Sequence, residues 1–304
     1  MLNRIKELLH LLRVRQYYKN IMIFVGIFFS QNLFDPTHYI SLIIGFILLC
    51  FTSSFNYIIN DIGDIEKDKL HTEKLKKKPL ASGSISKFYA IIILIILALL
   101  IIASSIFLLP NLGFIFMIVL MILTGQLYNH IFKKYAFIDI IILSTGYLWR
   151  ALAGCMIIEQ YVSAWLFLAI FEVAIFLSIA KRKGDLKFLG EDVAAEHKEV
   201  YDQYSLKLLD QFHVIIAGSL FMTYALYLIN TFGLVETAET GIPTLFEYLS
   251  ILTVPISLYI LMRYMYLTSS KPEIARSTEK AFFDKGMIIA GVLLGGILLF
   301  SFYY

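Results

Sequence analysis

The strongest constraint on the fold of this 304-residue chain is a succession of long apolar segments. A helix needs about 20 mostly apolar residues to cross the hydrocarbon layer of a bilayer. The chain is 59% hydrophobic and only 16% charged, more apolar than a soluble chain of this length needs to be. The qualifying segments are 21–34, 38–60, 89–109, 112–130, 137–157, 163–180, 211–233, 246–267 and 286–304. We therefore predict an all-α, polytopic membrane protein with nine transmembrane helices.

Basic residues are distributed unevenly among the loops. Of the 26 Lys and Arg residues, 24 lie before the first segment or in every second loop after it, Arg263 lies near the end of the eighth segment, next to such a loop, and Arg150 lies inside the fifth segment. Cytoplasmic loops carry an excess of Lys and Arg. We therefore predict an integral protein of a bacterial cytoplasmic membrane, with the N-terminus and basic loops in the cytoplasm and Tyr304 outside. The net charge of +3 is then a topology signal, which gives no reason to expect a nucleic-acid partner.

The N-terminal segment 1–20 interleaves basic and apolar residues. This pattern is typical of a helix lying on the cytoplasmic membrane surface. No soluble domain or linker interrupts the rest of the sequence, so residues 1–304 are predicted to form a single membrane domain. These patterns leave the oligomeric state open.

An acidic motif, Asn60-Asp61-x-x-Asp64-x-x-x-Asp68, stands at the end of the second apolar segment. If the helix continues, these side chains converge along one face. Clustered carboxylates repel one another unless a cation holds them together, and Mg²⁺ binds substrate phosphates through one or two carboxylates. We predict that Asn60, Asp61, Asp64 and Asp68 form a Mg²⁺–diphosphate site, and we expect the loss of one carboxylate to relieve repulsion. The alternative is a solvated acidic loop, because several lysines follow closely.

Two groups of basic residues are candidates for phosphate binding. Lys181 and Arg182, with Asp185, are predicted to emerge from the end of the sixth segment as a phosphate clamp. The alternative for this group is the ordinary cationic end of a membrane helix. Arg150 lies within a segment, where a buried cation is costly and faces a polar cavity, a carboxylate or an anionic ligand. Its alternative is a structural pair with Glu172.

Three further residues, Lys19, Tyr128 and Lys133, flank apolar segments on the predicted cytoplasmic side. They are candidates for lining the same cytoplasmic mouth, although each taken alone is more typical of an interface anchor than of a ligand. The sequence has no G-x-S-x-G, Walker or G-x-G-x-x-G motif after a strand, so the usual hydrolase and nucleotide-binding signatures are absent.

Together these motifs resemble the UbiA superfamily of intramembrane prenyltransferases, and most closely its polyprenyl-phosphate phosphoribosyltransferase branch. Residues 13–20, R-V-R-Q-Y-Y-K-N, are similar to the opening R-P-R-Q-W-x-K-N of that branch. The acidic motif, His71, Lys74 and K-P-L-A-S-G-S-I at 78–85 resemble N-D-x-x-D-x-x-x-D-x-x-H-x-x-K…R-P-L-A-S-G-x-I. Tyr128, Lys133 and Asp139, the segment 146–154 and the group at 181–185 also follow its pattern.

The departures of this sequence from the branch pattern include Val14 in place of proline, Lys78 in place of arginine and Asp185 in place of glutamate. Prenyltransferases of the superfamily carry a second aspartate-rich motif after the sixth span. This chain has a basic cluster there, which suits the additional 5-phosphate of phosphoribosyl pyrophosphate better than a prenyl diphosphate.

The resemblance implies Mg²⁺-dependent transfer of 5-phosphoribose from phosphoribosyl pyrophosphate to a polyprenyl phosphate, a lipid-linked pentose donor for cell-envelope polysaccharide. It implies Asp61, Asp64 and Asp68 as catalytic metal ligands. The implied substrate-binding residues are Lys19, Asn60, Lys78, Tyr128, Lys133, Arg150, Lys181, Arg182 and Asp185.

Two alternatives remain open. One is a prenyltransferase of the same fold, which would transfer a polyprenyl group from its diphosphate to an aromatic or other acceptor. The other is a transporter or channel, although the segments lack a chain of polar residues and a broken helix pair at corresponding positions.

Overall fold

A computed structural model describes residues 2–69, 75, 78–161, 163–190, 199–232, 245–271, 274 and 277–303. Within these ranges every regular element is helical, which confirms the predicted all-α class. The helices are α1 (Leu2–Leu11), α2 (Val25–Phe29), α3 (Tyr39–Gly63), α4 (Ile65–Lys69), α5 (Pro79–Ser82), α6 (Lys87–Phe107), α7 (Leu112–His130), α8 (Ile138–Ile158), α9 (Ala164–Leu189), α10 (Leu206–Thr231), α11 (Leu245–Leu249), α12 (Thr253–Ser270) and α13 (Lys285–Tyr303). 3₁₀ helices cover Val14–Phe24, Pro36–His38, Phe132–Lys134, Glu199–Gln203, Ser250–Leu252 and Thr278–Phe283.

Among the described residues, eight helices are long and apolar enough to cross a membrane. They are Pro36–Gly63, Lys87–Phe107, Leu112–His130, Ile138–Ile158, Ala164–Phe188, Leu206–Thr231, Ser250–Ser270 and Lys285–Tyr303. The chain is therefore an integral membrane protein.

The ninth predicted span, 21–34, does not form one long α-helix. Its residues belong to the 3₁₀ helix Val14–Phe24, the short helix α2 and a turn. A 3₁₀ helix rises about 2.0 Å per residue and an α-helix about 1.5 Å. Residues 14–29 therefore reach roughly 30 Å if they run straight, about the thickness of the hydrocarbon layer. A total of nine crossings stays a prediction.

Two other boundaries differ from the sequence prediction. Helix α9 runs on to Leu189, so Lys181, Arg182 and Asp185 lie within the helix and do not begin a loop. Helix α3 ends at Gly63, Asp64 occupies its C-cap, and α4 begins at Ile65. The acidic motif is therefore divided between two helices, because the chain departs from helical geometry at Asp64.

The chain divides into two compact units, residues 1–130 with 146–161 (unit 1) and 131–145 with 162–304 (unit 2). In unit 1, α3 packs against α6, α7 and the 3₁₀ helix Val14–Phe24, around a core that includes Ile23, Leu48 and Phe114. In unit 2, α9 packs against α10, and α12 packs against α13. The prediction of a single membrane domain over 1–304 stays untested.

Close packing of the 3₁₀ helix in unit 1 depends on a glycine of α8. A Cβ atom on Gly154 would overlap the backbone carbonyl oxygen of Ile23. The absence of a side chain therefore lets the backbone of the 3₁₀ helix contact α8 directly. This contact places Asn20 in the interior, where it is only 1% exposed.

Candidate functional site

The acidic motif contains two buried and two half-buried side chains. Asp61, in the last turn of α3, and Asp68, in α4, each have 3% of the side chain exposed. Asn60 and Asp64 are half-buried. The Asp68 amide donates to the Asp64 carbonyl at 2.8 Å, which continues the helical hydrogen-bonding pattern across the break. The four residues are therefore close in the chain but unequal in environment.

Two cations pair with the buried carboxylates. The Lys78 ammonium lies 2.8 Å from Asp61 Oδ1 and 2.6 Å from Asp68 Oδ2. The Arg13 guanidinium donates to Asp61 Oδ1 at 2.6 Å. Two negative and two positive charges thus form one cluster, in which Lys78 bridges both aspartates.

Arg13 is a member of this cluster that the site prediction missed, although it lies in the quoted 13–20 motif. It stands between α1 and the 3₁₀ helix in a left-handed backbone conformation, with φ of 52°. Its guanidinium lies 4.5 Å from the centroid of the Tyr57 ring, a cation–π arrangement. Apart from that motif, the sequence shows only a cation before an apolar segment, and the membrane topology alone explains such a cation.

The predicted metal site of Asn60, Asp61, Asp64 and Asp68 stays a prediction. Among the described residues, no group of three or more Asp, Glu, His or Cys side chains is placed to hold a metal ion. Instead, the Lys78 ammonium lies between Asp61 and Asp68. Two carboxylates that already converge on one cationic centre suit Mg²⁺, because this ion is usually bound by one or two carboxylates together with substrate phosphates. Asp61 and Asp68 therefore fit the implied ion as a pair.

A second polar cluster of unit 1 surrounds Arg150, which is 8% exposed. Its Nε donates to Asn20 Oδ1 at 2.7 Å and its Nη1 to the Gly146 carbonyl at 2.6 Å. Asn20 in turn donates to Cys50 Sγ at 3.2 Å and accepts from Ser53 at 3.3 Å. The described part of unit 1 contains no carboxylate paired with Arg150, so this buried cation has only neutral partners there.

The alternative partner suggested for Arg150, Glu172, has a hydrogen bond within its own unit. Ser219 of α10 donates to Glu172 Oε1 at 2.5 Å. Helices α9 and α10 are thereby joined inside unit 2, so Glu172 has a packing role that needs no arginine.

The interior of unit 2 contains the cluster around Arg182, which is 2% exposed. Its Nε and Nη2 donate to Asp139 Oδ2 at 3.0 and 2.7 Å, and its Nη1 donates to the Tyr201 hydroxyl at 3.3 Å. Tyr204 donates to the other oxygen of Asp139 at 2.6 Å, and Tyr201 to Asp185 at 2.6 Å. Arg182 therefore holds α9 against the start of α8, a structural contact that the clamp prediction did not include.

Both tyrosines of this cluster are held in the neutral form. Burial raises the pKa of Tyr201 and of Tyr204 above the ordinary tyrosine value. The neighbouring Asp185 and Asp139 carboxylates raise these pKa values further, whereas Arg182 lowers them. A neutral hydroxyl can donate to a carboxylate, as each of the two does.

The remaining predicted residues have different settings in the two units. In unit 1, Lys19 lies in the 3₁₀ helix and Tyr128 in the last turn of α7, both half-buried. In unit 2, Lys133 is half-buried and Lys181 is exposed. His71 and Lys74 lie outside the described residues.

Sequence reasoning also missed a polar contact one turn before Asn60. Asn56 of α3 donates to the Met121 carbonyl at 3.0 Å and accepts from Gln126 at 2.7 Å. Its i, i+4 spacing from Asn60 was the only available signal. These bonds fix α3 against α7 next to the acidic motif.

Comparison with known proteins gives a consistent result. The model of the UbiA prenyltransferase family matches residues 20–284. A protein of Mycolicibacterium smegmatis named decaprenyl-phosphate phosphoribosyltransferase is 26% identical over 231 residues, covering 74% of this chain and 71% of that protein. A Mycobacterium tuberculosis protein of the same name is 24% identical, covering 74% of each chain.

Solved structures share the fold at low sequence identity. The structure of a UbiA homolog from Archaeoglobus fulgidus bound to GPP and Mg²⁺ has a TM-score of 0.65 and 17% identity, covering 97% of this chain and 98% of that one. With the family match extending over most of the sequence, the chain belongs to the UbiA prenyltransferase family.

Proposed function

We propose that this protein transfers 5-phosphoribose from phosphoribosyl pyrophosphate to a polyprenyl phosphate. The observation that carries the proposal is the likeness, over about three quarters of the chain, to proteins named decaprenyl-phosphate phosphoribosyltransferase. The coarser assignment is a membrane transferase of the UbiA family that acts on a polyprenyl phosphate. The buried acidic pair with its cationic partners supplies the chemistry that a pyrophosphate leaving group needs.

In the proposed reaction, the bond between ribose C1 and the pyrophosphate oxygen breaks, and pyrophosphate leaves with the electron pair. A lipid phosphate oxygen then forms the new bond to C1. The attacking group is already an anion, so no general base is required. Catalysis rests on positioning and on charge stabilisation.

The acidic motif is proposed as the pyrophosphate end of the site. Asp61 and Asp68 would hold the metal, with Asp64 and Asn60 beside them. Mg²⁺, when bound, neutralises charge on the leaving group. Arg13 keeps Asp61 oriented by its hydrogen bond, and Lys78 is close enough to the motif to contact a phosphate bound there.

Arg150 is proposed to bind the phosphate of the lipid acceptor. Its two hydrogen bonds fix the guanidinium in one orientation without neutralising its charge. An anionic ligand would compensate a buried cation that has only neutral partners in the described part of unit 1. The roles of Lys19, Tyr128, Lys133, Lys181, Arg182 and Asp185 toward substrate stay predictions.

Radiolabelled phosphoribosyl pyrophosphate tests the proposal directly. Purified protein in detergent or nanodiscs should convert it into a lipid-extractable product only when decaprenyl phosphate and Mg²⁺ are both present. Release of pyrophosphate should match product formation one to one. The competing candidate is prenyl transfer, favoured by the GPP and Mg²⁺ bound to the A. fulgidus structure of the same fold. Turnover of a prenyl diphosphate with an aromatic acceptor, and none of phosphoribosyl pyrophosphate, would replace our proposal with that one.

A further inference from the structure

The position of Lys78 has a consequence beyond phosphate binding. Its ammonium touches one oxygen of each buried aspartate, Asp61 and Asp68, at 2.8 and 2.6 Å. Arg13 adds a second cation, which contacts Asp61 Oδ1. The two carboxylates are therefore held together by a cation that belongs to the chain itself.

A divalent ion and this ammonium compete for the same two oxygens. Lys78 already contacts Asp61 Oδ1 and Asp68 Oδ2, the oxygens at which the two carboxylates approach one common cation, and a Mg²⁺ ion held by both aspartates would take the place of that cation. An ammonium next to a bound dication would also be repelled by it. Metal binding by this pair therefore requires Lys78 to leave.

The side chains of Lys78 and Arg13 are constrained to different degrees. Lys78 precedes the short helix α5 in an extended backbone conformation, and a lysine is a point charge on a flexible four-carbon stem. Arg13 is held by Tyr57 and by its own backbone conformation, and it contacts Asp61 alone of the two aspartates.

We propose that Lys78 is a displaceable counter-ion, which occupies the metal position of the acidic pair until a metal–diphosphate complex replaces it. The released ammonium then pairs with the diphosphate. Metal and diphosphate therefore bind cooperatively. The metal displaces Lys78 from the two carboxylates, and the diphosphate gives the displaced ammonium a new anionic partner. The inference rests on one part of the proposed function, the acidic pair as a metal–diphosphate site. It does not depend on which sugar the diphosphate carries.

Metal binding without diphosphate is the first test. The free Mn²⁺ signal in electron paramagnetic resonance measures the affinity of the full-length protein for Mn²⁺. Lys78→Met should raise that affinity about tenfold or more. The matched control is Lys69→Met, which removes a nearby exposed cation paired with Glu66 at 2.8 Å, and screening should limit its effect to about twofold. Equal gains for both variants would mean a general charge effect and would overturn the proposal.

Diphosphate binding is the second test. At saturating Mn²⁺, Lys78→Met should bind inorganic pyrophosphate roughly 10- to 150-fold more weakly, the range for a lost hydrogen bond between charged groups. The proposal thus requires opposite changes, tighter metal and weaker pyrophosphate. Loss of both affinities in Lys78→Met and in Lys78→Gln would show that Lys78 only supports the fold of the site, and would overturn it.

Thermal melting separates these effects from misfolding. Without metal, Lys78→Met removes the cation that contacts both buried carboxylates, so its melting temperature should fall and should be restored by Mn²⁺ more than that of wild type. A variant that Mn²⁺ does not rescue would contradict the displacement. If the two affinities change as expected but phosphoribosyl pyrophosphate is not turned over, the counter-ion role stands and only the proposed function fails.

Discussion

At the scale of single residues, the four polar positions of the acidic motif have different physical roles. Asp61 and Asp68 are buried and paired with cations, whereas Asn60 and Asp64 are half-buried. From spacing alone, the three carboxylates, Asp61, Asp64 and Asp68, were expected to repel one another. The structure contradicts this expectation for Asp61, because Arg13 and Lys78 already compensate its charge.

Asp61→Asn should therefore destabilise the metal-free protein. Removing the carboxylate leaves Arg13 and Lys78 without this acceptor. Because both cations are partly exposed, we expect a loss of about 1–3 kcal/mol. Asp64→Asn, at a half-buried position, should cost less than about 1 kcal/mol. Thermal or denaturant unfolding of the two variants measures the difference, and an Asp61→Asn protein as stable as wild type would return this site to the repulsion model.

In unit 2, Asp139→Asn should strongly reduce the free energy of unfolding. It weakens the hold on Arg182, a guanidinium that is 2% exposed and donates twice to the lost charge. Breaking a buried ion pair typically costs about 3–5 kcal/mol.

Arg182→Ala would break the same pair, so its effect on donor affinity cannot be separated from folding. Lys181→Ala, at an exposed position, is the better test of a phosphate clamp: it should weaken phosphoribosyl pyrophosphate binding and leave the melting temperature nearly unchanged.

Alkaline pH should destabilise the protein through Tyr201 and Tyr204. Folding raises both pKa values above the ordinary 10.0, so the folded state keeps protons that the unfolded state loses. Their stabilising contribution is complete below pH 10 and falls as the pH rises above it. Each proton contributes a slope of about 1.4 kcal/mol per pH unit. The double variant Tyr201→Phe/Tyr204→Phe should show a shallower decline in unfolding free energy between pH 10 and 11, and an unchanged slope would contradict this.

At the scale of helices, apolar length predicted the membrane segments well but not where helices continue in polar sequence. The predicted segment 112–130 coincides with α7, and 89–109 lies within two residues of α6 at each end. Helix α9 instead extends nine residues past its predicted end at 180. A count of apolar residues does not detect a helix that continues outside the hydrocarbon layer. The Lys78 bridge was equally inaccessible, since it depends on a tertiary contact across ten to 17 residues.

Gly154→Ala should disturb the packing of the 3₁₀ helix against α8. The added Cβ would meet the backbone at Ile23, which cannot turn aside as a side chain can, and overpacking of this kind costs about 1–3 kcal/mol. Asn20, three residues earlier, should lose its bond to Arg150. Gly218→Ala in α10 is the matched control, because a Cβ there has no neighbour within 4 Å in the described structure and alanine favours a helix by about 1 kcal/mol. Comparable melting temperatures for the two variants would show that the contact is not tight.

At the scale of the whole molecule, the uneven distribution of Lys and Arg predicts the membrane topology. The number of crossings depends on whether residues 14–29, which include the 3₁₀ segment, span the membrane. If residues 14–29 cross the membrane, the N-terminus and the loop at 30–35 lie on opposite sides. If they fold back within one leaflet, both lie on the same side and the count of crossings falls to eight. Composition favours crossing, because basic residues precede the segment and the loop after it has none.

Cysteine labelling in intact cells distinguishes the two topologies. In a Cys50→Ser/Cys155→Ala background, single cysteines replace Lys6, Phe34 and Tyr161. Phe34 and Tyr161 are 67% and 89% exposed, so a membrane-impermeant maleimide can reach both positions from the side they face. We expect Phe34→Cys and Tyr161→Cys to react in intact cells, and Lys6→Cys only after permeabilisation. Reaction of Lys6→Cys in intact cells, together with Phe34→Cys and Tyr161→Cys, would mean that the 3₁₀ segment does not cross. Phe34 and Tyr161 should lie on the same side in both topologies, because four membrane helices, α3, α6, α7 and α8, separate them. The acidic cluster would lie on the predicted cytoplasmic side in either case, because α3 alone separates it from the loop at 30–35, which Phe34→Cys is expected to report as outside.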